Sequence, residues 1–377
     1  MTRMPPLRGR LVLDDAVVVG TVRIDGDRIA AIDLEPDADA AAAGHLPYVT
    51  PGFVDVHVHG WGGHDAMGSV GDLDGMARAL LRHGVTSFLP TAWTAPLPEL
   101  RAFADRVREW LPRAPGDGAD PLGYNLEGPF LSPARKGAHD PTSLRLPADT
   151  PWVEIAPLTE GLRLITIAPE LPGALDLIGR LAALGVRVSV GHSDASFRAA
   201  LTGYDAGATT TTHLFNAMTG LEHRAPGVAV AALDRDDVFV ELIADGHHVD
   251  PALWPIVQRT KPVDRLLLVS DALPLAGTAI GRMTTGGQEV EVRDGRCLVV
   301  GTDTIAGSLI CLDESVRNLV AHGSSLPAAV AAAGRNPLAM LGIEDRGRLA
   351  EGQRADLVVL DEALDVRHVI RAGVGIV

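Results

Sequence analysis

Pro51-Gly52-Phe53-Val54-Asp55-Val56-His57-Val58-His59-Gly60 is the stretch whose reading decides the fold. Side chains two apart on a strand point to the same side, so His57 and His59 converge at the strand's C-terminal end. From Pro51 onward, short apolar runs alternate with segments of helical period, the pattern of βα units. The runs are Phe53–His59, Thr86–Thr91, Leu122–Glu127, Leu162–Pro169, Val186–His192, Ala208–His213, Val238–Asp245 and Leu266–Asp271. Between them, Leu73, Met76, Leu80 and Leu81 share a helix face that stops at Gly84. Leu100, Phe103, Val107 and Trp110 form another face, and Leu177, Leu181 and Leu184 a third before Gly185. Eight repeats in roughly 220 residues predict a (β/α)8 barrel, a fold of about 250 residues.

Upstream of the barrel, Leu11–Ile32 reads as hairpins around the Asp25-Gly26-Asp27 turn. Asp33–Gly44 is acidic, Ala-rich and linker-like. Downstream of Asp271, Gly286–Val300 reads as a Gly-rich hairpin region, and a helix follows with Val316, Leu319 and Val320 on one face. The tail Gly347–Leu360 returns to strand character. The expected architecture is α/β: a (β/α)8 TIM-like barrel over residues 51–344 as the catalytic domain. Residues 1–50 and 345–377 form a small flanking β-sandwich domain built from both termini.

Composition narrows the function. The 377 residues carry 33 Lys+Arg against 48 Asp+Glu, a formal charge of −15. With 46% apolar and 21% charged residues the chain is ordinary globular material, not disordered. An acidic chain lacks the basic footprint that nucleic acid requires. The two cysteines, Cys297 and Cys311, are too few for a disulfide framework or a zinc–thiolate cluster and suit a reducing cytosol. Met1–Arg10 has basic residues but no apolar h-region, and no stretch approaches the roughly 18 apolar residues of a membrane helix. A soluble, cytoplasmic protein is expected.

The polar residues sit where barrel chemistry is done. The first run ends in His57 and His59, the third in Glu127, the fifth in His192, the sixth in His213 and the eighth in Asp271. Barrel active sites lie at the C-terminal ends of the strands. Four imidazoles and two carboxylates there form a metal-binding constellation. A lone strand-end histidine is more often a satisfied polar residue than a ligand, but five strand ends agree here. His45, His64, His83 and His322 have no such placement; His83 and His322 suit helix C-termini. Imidazole and carboxylate suit zinc or iron, and a bound divalent ion lowers the pKa of its water to roughly 7. Asp271 is placed to take that water's proton and pass it to a leaving group. The implied reaction is metal-assisted hydrolysis of an amide or related bond.

The opening stretch and the tail Glu351-Gly352-Gln353-Arg354-Ala355-Asp356-Leu357-Val358-Val359-Leu360 resemble the amidohydrolase superfamily. More narrowly, the chain resembles the N-acetylglucosamine-6-phosphate deacetylase family along nearly its whole length. Asn125-Leu126-Glu127-Gly128-Pro129-Phe130, Lys136-Gly137-Ala138-His139-Asp140-Pro141 and Val190-Gly191-His192-Ser193 carry the likeness. So do Thr212-His213-Leu214-Phe215-Asn216-Ala217-Met218, Ala244-Asp245-Gly246-His247-His248-Val249 and Ser270-Asp271-Ala272.

The resemblance implies roles. Glu127, His192 and His213 are core metal ligands and Asp271 the general acid/base. His139 lies against the acetyl carbonyl and polarises it. Asn216, the Ala217 backbone amide, Arg224 and His248 bind the sugar phosphate. His57 and His59, both intact, favour a two-metal site, with one or two divalent ions (Zn2+ or Fe2+, alternatively Mn2+ or Co2+) per subunit. The resemblance also implies a homodimer in which Arg224 reaches the neighbouring active site. His223 and His247 read as surface residues. Many amidohydrolases bridge two metals with a carboxylated Lys at the end of strand four. Here that strand ends Ile167-Ala168-Pro169-Glu170, which argues against dihydroorotase- and urease-like chemistry and gives Glu127 the bridging place. Glu170 reads as a hydrogen-bonding residue at the surface or behind the site. The alternatives are an N-acetylgalactosamine 6-phosphate or other N-acyl sugar phosphate deacetylase, and a non-catalytic scaffold, which would have lost ligands that are all present.

Overall fold

The computed structural model describes residues 5–38 and 44–376. Met1–Met4 and residues 39–43 of the linker-like stretch lie outside the described residues.

Eight parallel strands form the barrel: β1 (Phe53–Val58), β2 (Val85–Ala92), β3 (Tyr124–Glu127), β4 (Leu162–Ile167), β5 (Arg187–Val190), β6 (Thr210–Thr211), β7 (Phe239–Leu242) and β8 (Leu266–Leu268). Each pairs in parallel with the next in chain order. Strands covered on both faces have no solvated side, which is why they read as continuous apolar runs. Among the described residues no ladder joins β8 to β1. Instead the Asp271 N–H donates to the His57 carbonyl at 2.9 Å. The buried Asp55 carboxylate accepts the Ser270 N–H at 3.3 Å and the His57 N–H at 3.2 Å. The barrel thus closes at the strands that carry the first and last site residues.

The helices form as their periodicity predicts. In Val70–Leu81, Ser69 and Asp72 make a capping box that satisfies two N–H groups with no partner inside the helix. Leu73, Met76, Leu80 and Leu81 are fully buried against the strands, each contributing about 1.5–3 kcal/mol. Leu97–Trp110 buries Leu100, Phe103, Val107 and Trp110. Ala174–Ala183 buries Leu177 and Leu181, but Leu184 departs from the expectation. It caps the helix beyond its last turn and is 56% exposed.

The N-terminal end of the barrel is plugged by Leu338, Met340 and Leu341, which pack on Val54, Val56, Leu89, Leu164, Leu267 and Val269. That leaves the opposite end for the site. The chain ends supply a seven-stranded sheet in the order Val374–Gly375, Val366–Arg371, Leu357–Leu360, Tyr48–Pro51, Leu7–Val12, Val17–Asp25, Arg28–Leu34. Its core is Leu11, Val22, Ile24, Val49, Leu357 and Ile370. A four-stranded antiparallel sheet (Arg282–Thr285, Gln288–Arg293, Arg296–Val299 and Ile305–Gly307) rises beside the barrel mouth. Its Gly286 turn rests on Trp93: a Cβ there would lie 2.4 Å from the indole, so only glycine fits.

Candidate active site

At the mouth of the barrel the predicted strand-end residues meet. His57, His59, Glu127, His192, His213 and Asp271 are all buried. The strands end abruptly because His192, His213 and Asp271 take positive φ angles of 46°, 25° and 49°. Such conformations cost non-glycine residues energy and cluster at functional sites. β1 reaches the site by another device. Its pairing steps from Asp55 opposite Phe88 to Val58 opposite Pro90, so three residues span two. This β-bulge re-aims the strand. Val54 and Val56 stay in the barrel interior, Val58 packs outward, and His57 still meets Glu127.

Glu127 is the hub. Its Oε1 lies 3.0 Å from His192 Nε2 and 2.9 Å from His213 Nε2, and those two nitrogens are 3.1 Å apart. Its Oε2 lies 3.1 Å from His59 Nε2, and Asp271 Oδ1 lies 3.2 Å from His59 Nε2 and 3.6 Å from His57 Nε2. The residues form two groups of three potential ligands, Glu127–His192–His213 and His57–His59–Glu127, sharing the glutamate.

The donor chemistry fits a divalent cation. A tetrahedral zinc with bonds of about 2.0–2.1 Å holds its ligand atoms about 3.3 Å apart, close to the spacing in the first group. The imidazoles are also turned correctly. His59 Nδ1 faces the Thr91 carbonyl at 3.2 Å, His192 Nδ1 the Arg135 carbonyl at 2.8 Å, and His57 Nδ1 the Glu241 carboxylate at 3.1 Å. Each oxygen takes an Nδ1–H and leaves the Nε2 lone pair facing the centre, the arrangement of metal-ligating histidines. Burial draws the His192 imidazolium down to about 4 despite Glu127, so that ring is neutral at pH 7. Burial also opposes charge on His59, but hydrogen bonds to Asp271 and Glu127 outweigh it and raise the pKa to about 9. The carboxylates thus create a field that calls for positive charge.

His139 is turned the other way. Its Nδ1 accepts the Thr94 N–H at 3.2 Å, so a neutral ring carries its proton on Nε2, which lies 3.1 Å from Glu127 Oε2. It is a donor beside the candidate ligands. His139, Asn216, Ala217 and His248 line one cavity of about 280 Å³ with Trp93, Glu127, Asp271 and Thr304–Ala306. His248 Nδ1 is fixed by the Asp245 carboxylate at 2.7 Å. Glu170 accepts the Ser193 hydroxyl at 2.7 Å and the Asp194 N–H at 2.6 Å, tying down the turn after His192.

Arg224 is not brought to this cavity: it is exposed, and no Lys or Arg among the described residues lines the space. His223 and His247 are exposed as well. Reading the sequence missed Thr94, Asp245 and Glu241, which orient the residues it found. For Glu241 a signal existed, a charge in the middle of an apolar parallel strand. His83, Cys311 and Asp313 form a further cluster, but Arg317 already pairs with Asp313 and burial holds the Cys311 thiol well above its ordinary pKa. Both cysteines are free and buried.

Residues 48–375 match the family model described as the amidohydrolase family. The N-acetylglucosamine-6-phosphate deacetylase of Bos taurus is 41% identical over 342 residues, covering 86% of this chain and 82% of its own. The N-acetylgalactosamine-6-phosphate deacetylase of Escherichia coli O157:H7 is 39% identical over 360 residues, 92% of each. Among solved structures, a variant N-acetyl-D-glucosamine-6-phosphate deacetylase from Mycobacterium smegmatis, in complex with N-acetyl-D-glucosamine-6-phosphate, superimposes with a TM-score of 0.91. It is 37% identical and matches over 100% of both chains.

Proposed function

The chain belongs to the amidohydrolase family, and from that premise we propose that it hydrolyses N-acetylglucosamine 6-phosphate to glucosamine 6-phosphate and acetate. The observation that carries this reading is the contrast among the histidines. His57, His59 and His192 turn lone pairs to one centre, while His139 turns a proton toward the same cavity. Ligands beside a donor suit an acyl carbon that needs its oxygen polarised while water attacks.

We assign His57, His59, Glu127, His192, His213 and Asp271 as the residues that would hold one or two divalent ions, Glu127 being common to both groups of candidate ligands. Zn2+ or Fe2+ suits these nitrogen and oxygen donors, and Mn2+ or Co2+ are tolerable substitutes. A divalent cation bound there supplies Lewis acidity and lowers the pKa of a water it holds. Burial pushes the Asp271 carboxyl up, but His59 and His57 outweigh it and keep the group ionised at neutral pH. It can therefore accept a proton. As the water oxygen bonds to the acetyl carbon, Asp271 takes the proton and delivers it to the nitrogen when the C–N bond breaks. His139 Nε2–H holds the acetyl oxygen.

Asn216, the Ala217 amide and His248, which line the same cavity, hold the sugar phosphate. Because no Lys or Arg lines the cavity, the cation for a dianionic phosphate must come from outside it. Arg224 of the partner subunit in a homodimer meets that need. Two free cysteines suit a reducing compartment, and we assign the enzyme to the cytoplasm. No helix among the described residues is long and apolar enough to cross a membrane. The Escherichia coli relative keeps the galactosamine epimer as the second reading. Turnover of both epimeric sugar phosphates, measured beside metal content, decides between them. Metal-loaded protein that releases acetate from neither would overturn the proposal.

A further inference from the structure

Glu241 lies in the middle of β7, where a parallel strand covered on both faces normally carries Val, Ile or Leu. Its residue is 0% exposed. Val240 and Leu242, its chain neighbours, pack in the core shared with the helices, while Glu241 reaches the barrel interior and the site. No Arg or Lys among the described residues pairs with it; its one ion-pair partner is His57. A carboxylate buried in this way is costly unless its bonds repay the lost hydration. Its Oε2 accepts from His57 Nδ1 at 3.1 Å and from the His213 backbone N–H at 3.1 Å. One oxygen thereby joins a side chain of the first strand to the backbone just beyond the sixth. Both belong to the proposed ligand set, and His213 needs support because its φ is 25°.

We propose that Glu241 is a positioning residue for the metal centre, holding His57 in the tautomer whose Nε2 lone pair faces the ion and setting the distance between His57 and His213. The inference rests on the metal reading above. A carboxylate behind a ligating histidine fixes the ring's orientation and raises its basicity, and losing such a partner typically lowers metal affinity about 10- to 100-fold. Glu241 touches no cavity-lining space, so its effect on catalysis is carried through His57 and His213.

The test is a double-mutant cycle on metal binding. Wild type, Glu241→Gln, Glu241→Leu, His57→Asn and Glu241→Gln with His57→Asn are stripped of metal and titrated with Zn2+ against a chromophoric chelator. Co2+ absorption is recorded in parallel to report the ligand field. Glu241→Gln keeps the shape and an acceptor oxygen, so it carries the test if the leucine variant does not fold. The expected result is a roughly 10- to 100-fold weaker affinity for the equivalent that His57→Asn also weakens, with a changed Co2+ spectrum. In the His57→Asn background the glutamine substitution then adds at most a few-fold, because the ring it orients is gone. Unchanged affinity and spectrum in Glu241→Gln overturn the proposal. So does an effect that persists undiminished without His57, which would mark Glu241 as general scaffolding. If wild type itself takes up no Zn2+ or Co2+, the metal reading fails first and this proposal falls with it; the wild-type titration separates the two failures.

Discussion

The Thr94 backbone N–H donates to His139 Nδ1 at 3.2 Å, and this one bond decides what His139 can do. A neutral imidazole whose Nδ1 is an acceptor has its proton on Nε2, and a nitrogen bearing a proton offers no lone pair to a metal. His139 is therefore expected to act as a hydrogen-bond donor. Removing one donor to a developing oxyanion costs about 10²–10³ in kcat. His139→Ala should lose that much while its metal content, read by elemental analysis, stays at the wild-type value. Loss of a metal equivalent in His139→Ala would make it a ligand.

Asp271 differs from His139 in being asked to move a proton. A positioned general acid/base contributes typically about 10²–10⁴-fold, so Asp271→Asn should lose at least the lower figure in kcat. KM is expected to change little, since the group acts mainly in the transition state, and kcat is read per bound metal because Asp271 is also assigned to the ion. Near-normal kcat would transfer the role to Glu127, the next carboxylate at the centre.

The barrel was legible because parallel strands buried on both faces read as unbroken apolar runs, and because site residues stood at their ends. The chemistry that orients those residues was less visible. The bulge between Asp55 and Val58 has no proline or glycine inside it to announce it. The left-handed turns at His192, His213 and Asp271 use no glycine that would announce them. Ala208–His213 reads as a six-residue strand, but only Thr210–Thr211 pair as β6. There Thr212 turns its hydroxyl to Ser189 at 2.6 Å, within a buried polar network that includes Thr166. Thr94 acts through its backbone, which no side-chain pattern reveals.

Stability at low pH depends on a cluster far from the active site. Asp120 pairs with Arg346 at 2.7 Å and Arg371 at 3.0 Å, and also with Arg354, tying the barrel to the last strands of the chain. Burial pushes its carboxyl up, but Arg354, Arg346 and Arg371 outweigh this and bring the pKa to about 2, from an ordinary 3.8. A carboxyl with a lowered folded-state pKa stabilises the fold above its unfolded pKa, and that stability is lost as pH falls through the folded value. The shift corresponds to about 2 kcal/mol. Asp120→Asn should thus unfold at lower urea concentration than wild type at pH 7, and the gap should narrow only below about pH 4. A gap that stays constant from pH 7 to pH 3 would show that ionisation of Asp120 is not its source.

Arg224 carries the prediction on which the two-subunit site stands. The chain's net charge of −15 gives a dianionic substrate no help, and the cavity lining holds neither Lys nor Arg. In its own chain Arg224 stands exposed on the loop after β6. Guanidinium binds phosphate through charge-assisted hydrogen bonds of about 1.5–3 kcal/mol, which is roughly 10- to 150-fold in kcat/KM. Arg224→Ala should lose that factor on N-acetylglucosamine 6-phosphate and almost nothing on N-acetylglucosamine. Equal losses on both sugars would show that Arg224 does not read the phosphate. Action in trans has its own signature. When Arg224→Ala and Asp271→Asn subunits are mixed and exchange, each heterodimer gains one site in which the Arg224→Ala chain supplies Asp271 and the Asp271→Asn chain supplies Arg224. Activity should therefore rise above that of either parent. With exchange verified by mass, no rise would place Arg224 in its own subunit's site.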